Sequence, residues 1–451
     1  NTIYETKYLD QVLGIKKGDV YNQELLNTRL SFSQDGRDIS SLYLDNGYLF
    51  FRVDPVEIAV DKDSIDLELR IFEGPQATID RVVIKGNDRT NEHVIRRELF
   101  TRPGVRLLSG FYGPAERFLL DSGADIQFVP SDFRRFTPII ERFAPRVLAT
   151  AVSAPDEDGW MSLSVHAGAS IAELNRAIAD PDRVVIAEVV ADAPRTFGLM
   201  PDHPHRLHYD DADLVIEGDR PMIVLPDAVP TDVDEEIARH VRPFITDGCT
   251  LQTGIGGIPS TIARLLANDD GGDYGVHSEM FTTGLMELHK AGKVTNARKG
   301  QFDGLSISTF AAGTTDLYEW LDGNEEVRFL PVDVVNSPEV IARNRKVVTI
   351  NGALMVDLWG QAVADTLGSR QFSGIGGHED FVSVAGLELE DRSLICLPSR
   401  ATVNGQPVSR IMAALPEGTV VTTPRHQLDI VVTEYGAASL RGRTVRERAL
   451  A

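Results

Sequence analysis

An α/β body with parallel sheets, preceded by a smaller α+β segment, is the architecture that this 451-residue sequence predicts. Three features carry the prediction. After about residue 105, unbroken apolar runs such as Arg146–Val152 and Val184–Val190 alternate with helical stretches such as Ile171–Ile178, and strands that are apolar throughout belong in parallel sheets covered on both faces. Before about residue 74, Phe51–Val60 and Ile65–Ile71 instead alternate apolar and polar residues, the mark of a hairpin with one wet face. Third, a glycine-rich turn (Gly254, Gly256, Gly257, then Pro259) opens an apolar helical run, Ile262–Leu266. Its backbone N–H groups face whatever sits at that helix start, an arrangement suited to an anion.

The elements follow in chain order. Leu25, Leu26 and Leu30 share one helical face, and Ile39–Leu44 makes a second short helix, ended by Asp45, Asn46 and Gly47. After the hairpin, Gly74-Pro75 breaks the chain, Ile79–Ile84 reads as a strand, Gly86-Asn87 as a turn, and Thr90 caps a helix carrying Val94, Ile95 and Leu99. In the body, a second subdomain opens near Leu214–Ile223. Short apolar segments follow at Ile307–Ala311, Phe329–Val335, Val347–Ile350, Phe381–Val384, Leu394–Leu397, Val420–Thr422 and Leu428–Val432, all expected as strands of a second α/β layer.

Composition narrows the function. Apolar residues at 42% and charged residues at 25% describe a globular chain rather than a disordered one, and the length allows two or three domains. No apolar run approaches the roughly 18 residues that span a bilayer, and the first residues, NTIYETKYLDQ, do not read as a signal peptide. A net charge of −22 disfavours nucleic acid and anionic membrane as partners. Any anionic substrate must then be held by local N–H groups or cations. Cys249 and Cys396 lie beside apolar runs and read as buried free thiols.

One segment combines apolar surroundings with a single carboxylate, Val276-His277-Ser278-Glu279-Met280-Phe281. Glu279 is either an exposed strand residue or a group held in a partly dry site for chemistry. His277 and Ser278 are adjacent on a strand and point to opposite faces, which excludes a Ser/His/Asp triad built on them. His203, His205 and His208 tempt a metal reading, but Pro204 interrupts them and no helical or strand face unites them, so no metal is expected. A second glycine turn spans Gly374, Gly376 and Gly377. Both glycine turns read either as ordinary tight turns or as donors of backbone N–H groups to an oxyanion.

Four strings, in this order and spacing, resemble the acetyl-CoA hydrolase/transferase family, which includes the 4-hydroxybutyrate and acetate CoA-transferases. They are GIGGIP at Gly254–Pro259, HSEM at His277–Met280, QFSGIGGHEDF at Gln371–Phe381 and VVTEYGAASLRGRTVRERA at Val431–Ala449. The resemblance extends upstream through Gly110–Arg117 and Ala124–Phe133, and so covers about 105–451. It implies a body of two subdomains, 105–212 and 213–451, the first lacking the family's N-terminal strand and glycine turn. It further implies that Glu279 is the catalytic nucleophile, and that Gly254, Ile255, Gly256, Gly257, Ile258, Asn336, Asn351, Gly374, Gly376 and Gly377 lie near CoA or the acyl group. Coenzyme A, as acyl-CoA, and a small carboxylic acid are the expected substrates, with hydrolysis when water replaces the acid. A homo-oligomer in the cytoplasm is expected. His378 departs from the family pattern, where glutamine or a small residue is commoner.

The first 104 residues, through EGPQATIDRVVIKGNDRTNEHVIRRELFTRPG, resemble instead the POTRA repeats of the outer-membrane barrel-assembly protein, here as incomplete repeats. That resemblance implies a periplasmic module binding extended client strands by β-augmentation. Since the two families are unrelated, the chain reads as a composite. Acyl-CoA:carboxylate CoA-transfer is the expected function, and an interaction module with an inactive or merely CoA-binding body is the alternative.

Overall fold

The computed structural model describes residues 3–4, 6–31, 38–44, 51–61, 64–73, 106–113, 116–117, 120, 125–166, 168–384, 388–403 and 405–451. The chain divides into two compact units, residues 1–96 and 97–451.

In the first unit three helices, Thr6–Leu13, Gln23–Leu30 and Ile39–Leu44, precede a hairpin of Arg52–Asp61 with Ser64–Phe72. The strands are antiparallel, Arg52 opposite Phe72 and Asp61 opposite Ser64, with a register shift between Glu57 and Ala59. Exposure alternates along Ser64–Phe72, as the period-two pattern predicts. Leu9, Leu26, Leu30, Ile39 and Tyr43 form the core, and Tyr43 stacks on Phe51 at 4.1 Å between ring centres. Leu25, expected on the buried face with Leu26 and Leu30, is exposed instead, because Leu26 and Leu30, four residues apart, share the inward face and the helix turns Leu25 away from it. The turn at Asp45–Gly47, the break at Gly74-Pro75, and the strand, turn and helix expected over 79–99 lie outside the described residues.

The second unit is built on two parallel sheets. The smaller has the order Val147–Val152, Val184–Val189, Leu214–Glu217, parallel throughout, with Leu174 and Ala177 of the helix Ile171–Ile178 packed on Val152, Val185 and Ala187. Two expectations change here. Leu214–Glu217, read as the opening of the second subdomain, is the third strand of this sheet. Val147–Val152 is an edge strand of alternating exposure rather than one covered on both faces; Val147 is 52% exposed.

The larger sheet has six strands in the order Gly275–Val276, Thr250–Thr253, Val347–Gly352, Arg392–Cys396, Ile430–Thr433 and Gly436–Ser439. All neighbours are parallel except the last pair. Its central strands are buried on both faces, and the burial takes in the polar side chains of Thr250, Gln252, Thr349 and Ser393 as well as the apolar ones. Leu394, Cys396, Ile430 and Val432 point into a core shared with Ile237, Val241, Ile262, Leu266 and Leu285 of three helices. The alternate residues Ile395, Leu397 and Val431 point into a second core with Val356 and Val382. Cys249 and Cys396 are buried free thiols, and burial pushes each up to about 12.

Three expected strands are not strands as read. Phe329–Val335 is a strand only at Val327–Phe329; Pro331, with φ −54°, then leads into the helix Val332–Val335. Phe381–Val384 belongs to the helix His378–Val382, where Phe381 and Val382 are buried and Glu379 half-exposed. Val420–Thr422 forms no ladder; beside it only Thr423 makes an isolated bridge, to Ala362. Among the described residues no helix is long and apolar enough to cross a membrane.

Candidate active site

The site gathers where the central strands end. Thr250–Thr253 runs directly into the glycine turn, where Gly256, at φ +116°, caps the helix Gly257–Ala267. A positive φ of that size is readily tolerated only by glycine. Beside it Gly275–Val276 continues through His277 and Ser278 to Glu279. Ser278 ties the two segments together: its hydroxyl donates to the Thr253 carbonyl at 3.1 Å and accepts from the Thr253 N–H at 3.4 Å.

The backbone of Glu279 is clamped. Its carbonyl accepts from Thr309 N–H at 2.9 Å, Phe310 N–H at 3.3 Å and Ser308 Oγ at 2.9 Å. Below it, the buried Lys299 ammonium donates to the carbonyls of Val276 (2.8 Å) and Leu305 (2.7 Å). With the main chain fixed at several points, the Glu279 side chain has a defined origin. Its carboxylate accepts from Asn336 Nδ2 at 2.7 Å and from the Gly377 N–H. As a residue Glu279 is only half-buried, which leaves an approach for an incoming group, yet protein crowds the carboxylate on most sides. Burial pushes its pKa up to about 7, the nearby Asp380 carboxylate adds to the rise, and the Asn336 and Gly377 donors oppose it.

Of the two glycine turns, the second touches Glu279. A Cβ built on Gly377 would stand 1.8 Å from Glu279 Oε2 and 2.4 Å from Asn336 Nδ2. Gly374 lies against the backbone of Gly110 and Phe111, and the Gly376 carbonyl accepts from Phe133 N–H at 2.9 Å, so this turn is held from the unit's first segment. At Gly254 and Gly256 a Cβ would meet nothing within 4 Å, so this part of the first turn faces open space, whereas at Gly257 it would meet Asp234 Oδ2 at 2.8 Å. Ile255 is half-exposed, and Ile258 packs on the core.

Asn351 lies near the end of the strand Val347–Gly352 and exchanges two amide hydrogen bonds with Gln252, at 3.3 and 3.1 Å. It therefore sits at the carboxyl edge of the sheet beside the first glycine turn, with no bond to Glu279. His378 is buried, with Nε2 2.8 Å from Thr423 Oγ1, and burial lowers its pKa to about 4. It stays neutral at physiological pH and supplies no charge to the site. His277 bonds the Val335 carbonyl at 2.8 Å, which leaves it no part in a triad. His205 is buried on the Ser164 carbonyl and against Phe329, and His208 contacts the Asp158 carbonyl, so the histidine loop serves structure.

Sequence reasoning missed Asp380 and Arg134. Asp380 is fully buried, accepts from Asn336 Nδ2 at 3.0 Å, and forms an ion pair with Arg134 Nε at 2.7 Å. Asp380 stood in the open within Gly374–Phe381, two residues beyond His378. Arg134 lies 246 residues away and carried no local signal.

Comparison with known proteins agrees with this geometry. Residues 313–451 match the acetyl-CoA hydrolase/transferase C-terminal domain, and residues 1–74 match the POTRA model, described as a surface antigen variable number repeat. The 4-hydroxybutyrate coenzyme A transferase of Clostridium kluyveri is 37% identical over 343 residues, 76% of each chain. The succinyl-CoA:cyclohexane-1-carboxylate CoA transferase of Geobacter metallireducens is 36% identical over 80% of each chain. The crystal structure of RipA from Yersinia pestis superposes with a TM-score of 0.69 at 33% identity, covering 76% of this chain and 77% of that one. A half-buried carboxylate flanked by two N–H donors at the end of a parallel sheet, and kinship of this extent, lead to one conclusion: the chain carries an N-terminal POTRA-like motif and belongs to the acetyl-CoA hydrolase/transferase family, as an enzyme of CoA transfer.

Proposed function

We propose that Glu279 is the nucleophile of an acyl-CoA:carboxylate CoA-transfer that runs through a glutamyl-CoA thioester. The observation that carries this reading is the Glu279 carboxylate itself, met by Asn336 Nδ2 and the Gly377 N–H at the end of the sheet. The carboxylate attacks the thioester carbonyl and expels CoA thiolate, leaving a mixed acyl-glutamyl anhydride. The thiolate then attacks the glutamyl carbonyl, releases the donor acid as its carboxylate, and leaves Glu279 as a CoA thioester. An incoming carboxylate retraces both steps, and water in its place gives hydrolysis. Two easier acyl exchanges replace one hard one.

Each tetrahedral intermediate places negative charge on an oxygen. On the glutamyl side Asn336 Nδ2 and Gly377 N–H already point at it, and preorganised donors of this kind lower the barrier most where water is excluded. On the acyl-CoA side the backbone N–H groups of Gly254–Ile258, at a helix start, bind the anionic substrate. Asn351 and Gln252 shape the floor between. Ping-pong kinetics follow. The test is partial exchange: with acyl-CoA and its own labelled acid, and no second acid, label enters the acyl-CoA. Absence of exchange in an enzyme active with two acids refutes the reading.

Glu279 attacks only when ionised, so kcat/KM is expected to rise with pH and reach half its plateau near the raised pKa of about 7. A stopped assay across pH 5–9, with buffers overlapped, reads this limb; an acid limb near the ordinary carboxylate value of 4.5 contradicts a desolvated nucleophile.

The substrate pair is a small carboxylic acid and its CoA ester, the class named in the relatives. We place the subdomain boundary after Glu217, where the smaller sheet ends, and assign the transferase unit to a homo-oligomer in the compartment that holds acyl-CoA, the cytoplasm. For residues 1–104 we propose a POTRA-type module, suited to the periplasm, whose hairpin edge pairs with extended client strands; the helix–helix–hairpin order supports it.

A further inference from the structure

We propose that Asp380 is a positioning residue for this reaction: anchored by Arg134, its carboxylate fixes the carboxamide of Asn336 so that Nδ2 stays aimed at Glu279 throughout the catalytic cycle. The proposal rests on the reading of Glu279 as nucleophile.

Asn336 is wholly buried. An asparagine carboxamide presents an acceptor at one end and two donors at the other, and the two ends have nearly the same shape. Nδ2 lies 2.7 Å from Glu279 Oε2 and 3.0 Å from Asp380 Oδ2, while Oδ1 has no partner. Ionised carboxylates only accept, so a flipped amide would set an oxygen against two others at those distances. Above the raised pKa values of the two carboxylates, about 7 for Glu279 and about 6 for Asp380, two anions therefore hold the amide in place.

During the reaction one of them is consumed. Once Glu279 is an anhydride or a thioester, its oxygen is a neutral carbonyl and attracts Nδ2 more weakly. Asp380 then remains as the anion that keeps Nδ2 forward, at the stage when that N–H must meet the developing oxyanion. Asp380 suits the task because it is itself held. Its side chain is fully buried, Oδ1 pairs with Arg134 Nε at 2.7 Å, and Oδ2 accepts from the Arg134 backbone N–H at 3.4 Å. The other charged groups around it are Asp132, which contacts Arg134 and Arg135, and Glu379, which takes a hydrogen bond from Thr423 Oγ1. Burial and the Asp132 carboxylate raise the pKa of Asp380 to about 6, and the Arg134 counter-ion opposes the rise, so Asp380 is charged above that pH. Asp380 in turn contributes to the raised pKa of Glu279.

The experiment compares Asp380→Ala, Asp380→Asn, Asn336→Ala and the double variant Asn336→Ala/Asp380→Ala in the full chain, with thioester trapping on wild type as reference. Asp380→Ala is expected to lower kcat about 30-fold to 100-fold, the order lost when one oxyanion donor fails, with KM for the acid within about threefold. Since Asp380 acts through Asn336, adding Asp380→Ala to Asn336→Ala should cost less than about twofold more. Asp380→Asn keeps an acceptor for Asn336 but removes the charge. It is expected to recover most of kcat and to move the acid limb of kcat/KM to lower pH, because Glu279 loses a like charge. Multiplying losses in the double variant, an effect confined to KM, or wild-type kcat in Asp380→Ala overturns the proposal. If Asp380→Ala does not fold, Asp380→Asn with an unshifted pH limb overturns it alone. A wild-type thioester mapped away from Glu279 defeats the underlying reading instead, which keeps the two failures apart.

Discussion

Glu279→Gln is expected to lose CoA transfer by about 10⁴-fold or more, the scale seen when a covalent nucleophile is removed, while the protein stays folded. Glutamine matches glutamate in shape and accepts the Asn336 and Gly377 hydrogen bonds through its Oε1, so the packing around it survives. It also removes a carboxylate that burial disfavours in its charged form, so a thermal melt at pH 8 should show equal or greater stability than wild type. The sign follows from the raised pKa: the folded state holds that proton more tightly than the unfolded chain, so ionising Glu279 as pH rises through about 7 weakens the fold. Loss of activity together with loss of the melt would mean a structural role, and retained activity would remove Glu279 from the chemistry.

The second large effect is expected at a glycine. Gly377→Ala puts a methyl group 1.8 Å from Glu279 Oε2 and 2.4 Å from Asn336 Nδ2, closer than any real contact allows. Either the carboxylate rotates away from its donors or the turn shifts and its N–H leaves the carboxylate, and each outcome removes oxyanion stabilisation. A loss in kcat/KM of about 10² to 10³ is expected. Gly254→Ala makes the contrast, since its methyl group would meet nothing within 4 Å. Its effect reports on substrate alone, and is expected in KM rather than in kcat. Steady-state kinetics of both variants check this; equal losses in kcat would mean that the two turns share one role.

These two residues also mark how far the site was legible. Glu279 and Gly377 came from two of the strings that resemble the family and Asn336 from a further match to it outside them, and the fold brings all three together. The first glycine turn was legible as a helix start, because Gly256 at φ +116° and Pro259 punctuate the chain there. Asn351 stood out only through the resemblance, since the strand that carries it is set by a remote partner, Leu394 beside Ile350, and not by a local signal. Phe381–Val384 shows the ambiguity of four apolar residues: with Phe381 and Val382 both buried, helix and strand fit equally until the preceding turn is known to aim Gly377 at the site. Arg134 had no signal at all. Its meaning comes from Asp380, across 246 residues, and only the fold supplies that contact.

The central claim is that one side-chain carboxylate is transiently joined to CoA. Incubation of the intact chain with acyl-CoA, reduction of the trapped thioester with borohydride, and peptide mass mapping test it directly. A single acyl-CoA-dependent modification is expected, on Glu279, lost in Glu279→Gln and reversed by free carboxylic acid added before the borohydride. Modification at another residue, or none in a sample that turns over, would contradict it.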